Sequence, residues 1–292
     1  MWFLLAVLSA FFNSLGNVAR RTHGSLAQPA ELAWWSLLFS LPLTVGFVLI
    51  SHERLYTSFD FVIPGGIASV LSCFGGVLLF RAYKYADASV ICPLTNLLPI
   101  AMVPTTFIFT GQLPAPLGFV GVLLVVAGVY YSSVSGKHSL SHPLGQIMKS
   151  KGSRAMIGWV VITSVVVSLV SLSMRSASPS FLLLTMQIVS FVLMSGYLLA
   201  RPQRKRLQRG EHVLKKWGWH IAAISLFSTV AVLFQYHAMS LANPTYVMSV
   251  KRLDVLMTVL MAGLFLHEKH LLKRIKGSIV AIVGILVIVF LG

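Results

Sequence analysis

Three charged residues stand where charge is costly. Lys251, Arg252 and Asp254 lie inside an apolar run from about Pro244 to Phe265. Such a run is long enough to cross a bilayer, and the two cations fall near its middle. A charge at that depth costs between ~2.5 and more than ~10 kcal/mol, depending on how far it can snorkel. Charges that persist there face a bundle interior or a water-filled cavity and mark a solute path. The chemistry that suits Arg252 is capture of a carboxylate or phosphate in a bidentate fork.

Spacing sorts the three charges. With about 100° per residue, Asp254 falls about 60° from Lys251, while Arg252 points to the other side. A Lys251–Asp254 pair at i,i+3 is therefore expected, with Arg252 left for another partner. That partner is either fixed, such as carbonyls at a broken helix, or it is the substrate. Asp254 also suits an ammonium, so a zwitterion is as compatible as an anion. Asn13, Thr95 and Asn96 are expected to add polar contacts. Gln187, in the middle of another apolar run, is either a cavity residue or a helix–helix hydrogen bond.

The elements that must position these residues are membrane helices. Hydrophobic residues make up 57% of the 292-residue chain and charged residues only 10%, with a mean hydropathy of +0.84. Soluble domains carry about 25% charged residues. Met1 opens directly on Trp2-Phe3-Leu4-Leu5 with no basic stretch before it, so no removable signal peptide is expected. Ten apolar segments are expected to span, at 2–19, 29–51, 61–83, 88–110, 115–134, 155–174, 180–200, 217–240, 244–265 and 274–291. Prolines and glycines inside them are tolerated because neighbouring helices satisfy the freed backbone groups.

The net charge of +16 suggests nucleic acid at first sight. Position argues for membrane orientation instead. Of the 23 Lys and Arg, all but Arg54, Arg175, Lys251 and Arg252 fall after segments 1, 3, 5, 7 and 9 or at their ends. The positive-inside rule then places both termini outside the cytoplasm. Cys73 and Cys92 both lie in apolar runs and read as small core residues, with no disulfide or metal pair. His267-Glu268-Lys269-His270 lacks zinc-site spacing, and there is no nucleotide-binding loop. No metal, cofactor or nucleophile–base pair is expected, which argues against an intramembrane enzyme.

The chain also repeats itself. An offset of 156 lays 61–134 on 217–290 without a gap, matching Ser69 with Ser225, Ala82 with Ala238, Gly121 with Gly277 and Gly128 with Gly284. An offset of 155 lays the first segment on the sixth. Ser9, Asn13, Gly16 and Arg20 then meet Ser164, Ser168, Ser171 and Arg175. Spacings of 4, 3 and 4 keep each set on one helical face, either for close packing or to line a solute path. Five helices per repeat is odd, so the second repeat enters the membrane inverted, with the substrate site near the midplane. Arg20 and Arg175 then lie at opposite membrane faces, where a pair of gates is expected. The divisions are a first repeat over 1–136, a cytoplasmic linker over 137–153 and a second repeat over 154–292.

Ala82-Tyr-Lys-Tyr-Ala-Asp-Ala-Ser-Val-Ile-Cys-Pro-Leu in the first half and Ala238-Met-Ser-Leu-Ala-Asn-Pro-Thr-Tyr in the second are each followed by a helix and then by Gly-x6-Gly. With the five-plus-five repeat, this resembles the drug/metabolite transporter superfamily of the EamA-like type. Glu268 looks like the family's acidic residue after the ninth helix, while the matching first-half position holds Gln112. Ser249-Val-Lys251-Arg252 is similar to the dibasic pair of the sugar-phosphate translocator branch. That branch has a further lysine on the fourth helix, where this chain has Thr95 and Asn96. The resemblance implies an all-α integral membrane protein with ten transmembrane helices in two inverted repeats, in a bacterial cytoplasmic membrane.

The function expected is secondary transport of a small anionic or zwitterionic metabolite by alternating access. The alternatives are an exporter of amphiphilic drugs and a flippase for a lipid-linked phosphate, drawn in by the basic loops. Expected partners are the small-molecule substrate, the lipid bilayer and a coupling ion or counter-substrate. Nucleic acid is not expected, and the chain would act as a monomer or homodimer.

Overall fold

The computed structural model describes residues 1–21, 29–51, 55–85, 94–133, 150–199, 204–258 and 271–291; for 18–21, 29–33, 80, 83–84, 132–133, 204–217, 271–276 and 278 it describes the backbone alone. Cys92, His267, Glu268 and the side chain of Arg20 therefore lie outside the described residues.

The helices follow the expected segments. They are α1 (Trp2–Arg21), α2 (Pro29–Ser51), α3 (Val62–Tyr85), α4 (Leu98–Thr110), α5 (Pro116–Ser133), α6 (Lys151–Ser173), α7 (Pro179–Leu199), α8 (Arg204–Leu241), α9 (Pro244–Lys251) and α10 (Leu271–Leu291). Four of them, α2, α5, α7 and α9, open on a proline. The first helical position suits proline, because its N–H has no intrahelical partner there anyway. At the other end, α4 stops at Gly111, whose φ of 72° lets its N–H turn back to Phe107 O at 2.9 Å.

Three segments differ most from the sequence reading: the eighth starts earlier, the ninth is interrupted, and the fourth, expected over 88–110, is interrupted by a turn at 96–97 with α4 starting at Leu98. α8 begins at Arg204 instead of 217 and runs for 38 residues. At 1.5 Å per residue that is about 57 Å, well beyond a hydrocarbon core of about 30 Å. The added stretch is rich in Arg, Lys, Leu and Gln, strong helix formers that a hydropathy scan passes over. The ninth segment is not continuous: α9 ends at Lys251 and helix resumes over 253–258.

The chain is an all-α integral membrane protein of ten transmembrane helices in two inverted repeats. Trp34–Ser51, Phe59–Leu79, Lys151–Ser173, Pro179–Leu199 and Gly218–Leu241 are long and apolar enough to cross a membrane, with shorter apolar helices at Trp2–Asn17, Leu98–Thr110, Pro116–Tyr131 and Ile279–Leu291. Large apolar side chains such as Leu49, Ile63, Ile108 and Phe290 are exposed on the outer surface, while serines and threonines are buried inside. That distribution suits lipid as solvent.

Packing obeys the repeat. α1 packs on α8, and their counterparts α6 and α3 pack on each other. The pairs α1–α9 and α6–α4 correspond in the same way, as do α2–α8 and α7–α3. The pairs α2–α7, α4–α9 and α5–α10 map onto themselves. This is a pseudo-two-fold relation.

The α5–α10 contact also shows the inversion directly. A Cβ on Gly121 would meet Gly284 O at 2.8 Å, and one on Gly128 would meet Gly277 O at 2.6 Å. As one helix advances from 121 to 128, its partner runs back from 284 to 277. Equivalent helices of the two repeats are therefore antiparallel, and Gly121–Gly284 and Gly277–Gly128 are the same contact made twice. At one end of the bundle, the connection after α2 joins that after α6, with Thr57 N–H donating to Ser176 O at 2.8 Å and Ser178 N–H to Leu55 O at 3.0 Å. The second and sixth connections thus share one side, as alternating spans require.

Candidate functional site

Two helices break at repeat-related positions. In the second half, Asn243 caps α9 by accepting from Thr245 N–H at 2.9 Å, and the helix runs to Lys251. Arg252 then tightens the chain: its N–H bonds Ser249 O at 3.1 Å, and its own carbonyl accepts from Val255 N–H at 3.2 Å. Both are three-residue closures, as in a 3-10 turn. In the first half, residues 94–95 are helical and 96–97 form a turn ahead of α4, with Leu97 N–H bonding Leu94 O at 3.1 Å. The 156 offset lays Asn96 on Arg252, so the interruption itself is repeated.

The first-half break has a local cause. The carbonyl of Thr95 would normally accept from the N–H four residues on, but that residue is Pro99 and has none. A buried carbonyl is left wanting a donor. Arg252 supplies one from across the pseudo-two-fold, with Nη1 3.5 Å from Thr95 O. That length is at the limit of a hydrogen bond. Arg252 is only 6% exposed, yet this is the guanidinium's one hydrogen bond among the described residues, and its Nε has no acceptor. A guanidinium presents five donors. Most of its bonding capacity is unspent in a place without bulk water.

The expected Lys251–Asp254 pair does not form. Lys251 Nζ donates to Gln235 Oε1 on α8. Asp254 Oδ2 accepts from Asn13 Nδ2 on α1 at 2.5 Å. The i,i+3 rule counts only a helix's own residues, and here neutral partners on two neighbouring helices take the two charges apart. Asp254 is 4% exposed, and its Oδ1 has no donor. Its backbone carbonyl is occupied by Thr258 Oγ1 at 2.6 Å. Helices α1 and α8 and the residues just ahead of α4 thus each offer one neutral polar group to one of the three charges at the α9 break.

Other expected residues fall into place unevenly. Asn96 is fully buried beside Thr95 in the first-half turn. Gln187 is buried on α7 with Oε1 unpaired, but α7 packs on α2, α3 and α8, and its described bonds do not join it to the α9 cluster. Arg175 is exposed at the end of α6, with Nη2 2.6 Å from Thr110 O, where it caps the last turn of α4. On α6 the polar stripe packs: Ser168 Oγ donates to Thr105 Oγ1 at 3.0 Å, and Thr105 reaches Ser164 O at 3.2 Å. On α1, Ser9 does likewise, donating to Ala231 O at 2.7 Å, while Asn13 serves Asp254.

Gln235 was not among the expected site residues: near the end of the eighth apolar segment, it is 5% exposed and holds Lys251. The available signal was its lone amide within an otherwise apolar run. Tyr246 is a second unforeseen feature: its hydroxyl accepts from Ala115 N–H at 2.7 Å at the start of α5, over Gly118, where any Cβ would collide with the ring.

A guanidinium with unspent donors has the chemistry of a carboxylate or phosphate partner, with no proton moved. Among the described residues no group of His, Cys, Asp and Glu could hold a metal ion.

Comparison with known proteins agrees with this architecture. A solved crystal structure superposes with a TM-score of 0.77 at 13% identity, covering 98% of this chain and 95% of the other; at that identity it speaks for the fold alone. No curated protein sequence matches. The sequence profile of the EamA-like transporter family matches twice, over residues 1–134 and 151–290, once for each repeat. With nearly the whole chain accounted for by that profile, the protein belongs to the EamA-like transporter family, whose members are membrane transporters of small molecules.

Proposed function

We propose that this transporter is a secondary carrier that moves a small anionic or zwitterionic metabolite by alternating access. The repeats 1–136 and 154–292 rock against each other across the paired breaks of α4 and α9, joined by the linker 137–153. Arg252 is the anion clamp. Lys251 and Asp254 tune the charge around it, and Asn13, Thr95, Asn96 and Gln235 supply neutral contacts. Arg20 and Arg175 close opposite ends of the path. The basic connections face the cytoplasm, and both termini lie outside it.

The observation that carries this reading is Arg252 itself: buried to 6% exposure, with one 3.5 Å contact and an unpaired Nε. Anchoring α9 to Thr95 would not need a full guanidinium, and a buried charge that is merely structural normally finds its partners. The reading is tested in proteoliposomes incubated with a metabolite extract, washed and analysed by mass spectrometry. Vesicles with the parent protein accumulate a small set of acids. Vesicles with Arg252→Ala, at equal protein content, accumulate none of them. Equal accumulation by the two would remove Arg252 from the substrate site.

A further inference from the structure

The end of the bundle that carries the second and sixth connections is fastened across the repeats. Tyr56, between α2 and α3, and Ala177, between α6 and α7, form a single antiparallel bridge pair. The bonds that flank it belong to their neighbours: Thr57 N–H to Ser176 O at 2.8 Å and Ser178 N–H to Leu55 O at 3.0 Å. Tyr56 and Ala177 are therefore the close, non-hydrogen-bonded pair of the bridge. Thr57 Oγ1 gives Ser176 O a second donor at 3.2 Å. Rings from both halves pack at the same place. Phe181 of the second repeat lies 5.9 Å from Tyr56 and 5.8 Å from Phe61 of the first, centroid to centroid. Phe61 and Ala177 are buried.

Each side of the bridge is pinned to its own repeat. In the first half, Ser58 Oγ accepts from Asp60 N–H at 3.1 Å and caps the one-turn helix Phe59–Phe61 that leads into α3. In the second half, the N–H groups of Ser176 and Ala177 both donate to Ser173 O, at 3.1 Å each, at the end of α6. Neither side has slack of its own. A rigid-body movement of one repeat against the other at this end is therefore taken up at the bridge.

The pseudo-two-fold does not repeat this device. Carried back from the match of Phe61 with Trp217, the offset of 156 lays Tyr56 on His212. Residue 212 lies inside α8, where backbone N–H and C=O groups are spent along the helix. The equivalent position at the opposite end cannot form such a bridge. The early start of α8 and the bridge at Tyr56 are thus two forms of one repeat position.

We infer that the bridge and its rings are a one-sided clasp. They hold this end of the carrier shut at rest, and they part each time the path opens here. This rests on the alternating-access reading above and adds which end is closed and by what. On the orientation proposed there, the closed end is the extracytoplasmic one. A bridge of one pair suits the task, because water replaces its few hydrogen bonds when it parts.

The test uses the full-length protein with Cys73 and Cys92 changed to alanine. Tyr56→Cys with Ala177→Cys puts two thiols at a pair whose backbone spacing suits a disulfide. Oxidation should join them, seen as a cross-linked peptide by mass spectrometry. Uptake from the metabolite extract into proteoliposomes should then be lost, and should return on reduction. Tyr56→Cys alone, oxidised in the same way, should keep its uptake. A second readout needs no substrate. Ala177→Cys alone is treated in detergent with a charged maleimide, so that both ends meet the reagent. Its thiol should react slowly, and about five- to tenfold faster once Phe181→Ala removes two ring contacts.

A pair that does not cross-link overturns the clasp. So does a cross-linked carrier that transports like the reduced one, although the carrier reading then stands. An Ala177→Cys thiol that reacts at once shows an end open at rest and overturns the clasp too, as does a rate unchanged by Phe181→Ala. If the reduced protein and the parent both accumulate nothing, the carrier reading fails, and the clasp stands or falls on the labelling rates.

Discussion

The breaks in α4 and α9 are one backbone device with two chemistries. Each interrupts its helix at the same repeat position, Asn96 in the first half and Arg252 in the second. The first is built from Thr95, Asn96 and Leu98, the second from Lys251, Arg252 and Asp254. Repetition therefore preserved the interruption and let the charges differ. The α5–α10 crossing went the other way, keeping glycine in both halves at both levels. The difference follows from geometry. At the crossing each glycine faces its own symmetry mate's neighbour, so neither half can change alone. At the breaks the two halves face each other with different groups, a guanidinium in one and a backbone carbonyl in the other. Where the halves touch identically they stay alike; where their contacts differ, they diverge.

The largest effect is expected from breaking the part that stayed symmetric. A Cβ on Gly284 would lie 2.6 Å from Val125 N and 2.7 Å from Gly121 O, both backbone atoms that cannot step aside. Gly284→Leu should force the helices apart and cost about 3 kcal/mol or more. The yield of folded protein from membranes and its melting temperature report this. Gly46→Leu is the control, since a Cβ there meets nothing within 4 Å. If both substitutions are tolerated equally, the crossing does not hold the halves together.

Next comes the part that diverged. Arg252→Gln should lower the apparent affinity of transport by about a hundredfold, the loss of a charge-assisted bidentate contact. Stability should hold, because removing an under-bonded buried charge relieves its desolvation cost. Asn96→Ala, the same position in the other half, should cost transport about tenfold less. Uptake assays on the two variants at matched protein level decide this; equal losses would mean that the two breaks contribute alike, and the asymmetry argued here would be wrong.

Pro99→Ala sharpens the comparison from the neutral side. It restores an N–H to the position that Thr95 O lacks, so the carbonyl can bond within its own chain. The first-half turn should then close toward regular helix, with a gain of up to about 1 kcal/mol, and the 3.5 Å link to Arg252 should become redundant. Transport should fall several-fold although stability rises. A melting curve and an uptake rate on one preparation show whether the two move in opposite directions.

The fold was legible in the sequence and the wiring of the site was not. Ten apolar runs, the alternation of Lys and Arg, and a gap-free offset of 156 need only local composition and counting. That Asn13, Thr95, Arg252 and Asp254 are polar where apolar is the rule was legible as well, and the structure buries Thr95, Arg252 and Asp254 at the break with Asn13 bonded to Asp254. Their pairing was hidden: Asn13 meets Asp254 across 241 positions, and Lys251 chooses Gln235 over the acid three residues away. Helical spacing describes one helix and is blind to its neighbours. The start of α8 at Arg204 was hidden for another reason, because a polar helix leaves no hydropathy signal.

The smallest effect is expected at Arg175, a second arginine that serves a backbone carbonyl. Its Nη2 lies 2.6 Å from Thr110 O, shorter than the Arg252 contact, yet its side chain is exposed. Water can replace what it gives, and the end of α4 already has the Gly111 turn to satisfy Phe107 O. Arg175→Gln should therefore cost only about 0.5 to 1 kcal/mol, the ordinary worth of a cation at a helix C-terminus, read as a drop of about 1 to 3 °C in melting temperature. Transport should stay within about twofold of the parent if the residue is a cap alone, because an exposed cap is worth less than one pKa-sized increment of free energy. Loss of transport with that small change in melting temperature would instead make Arg175 a gate. The short, exposed contact and the long, buried one then divide by what surrounds them: solvent replaces the first when it is lost, and nothing replaces the second.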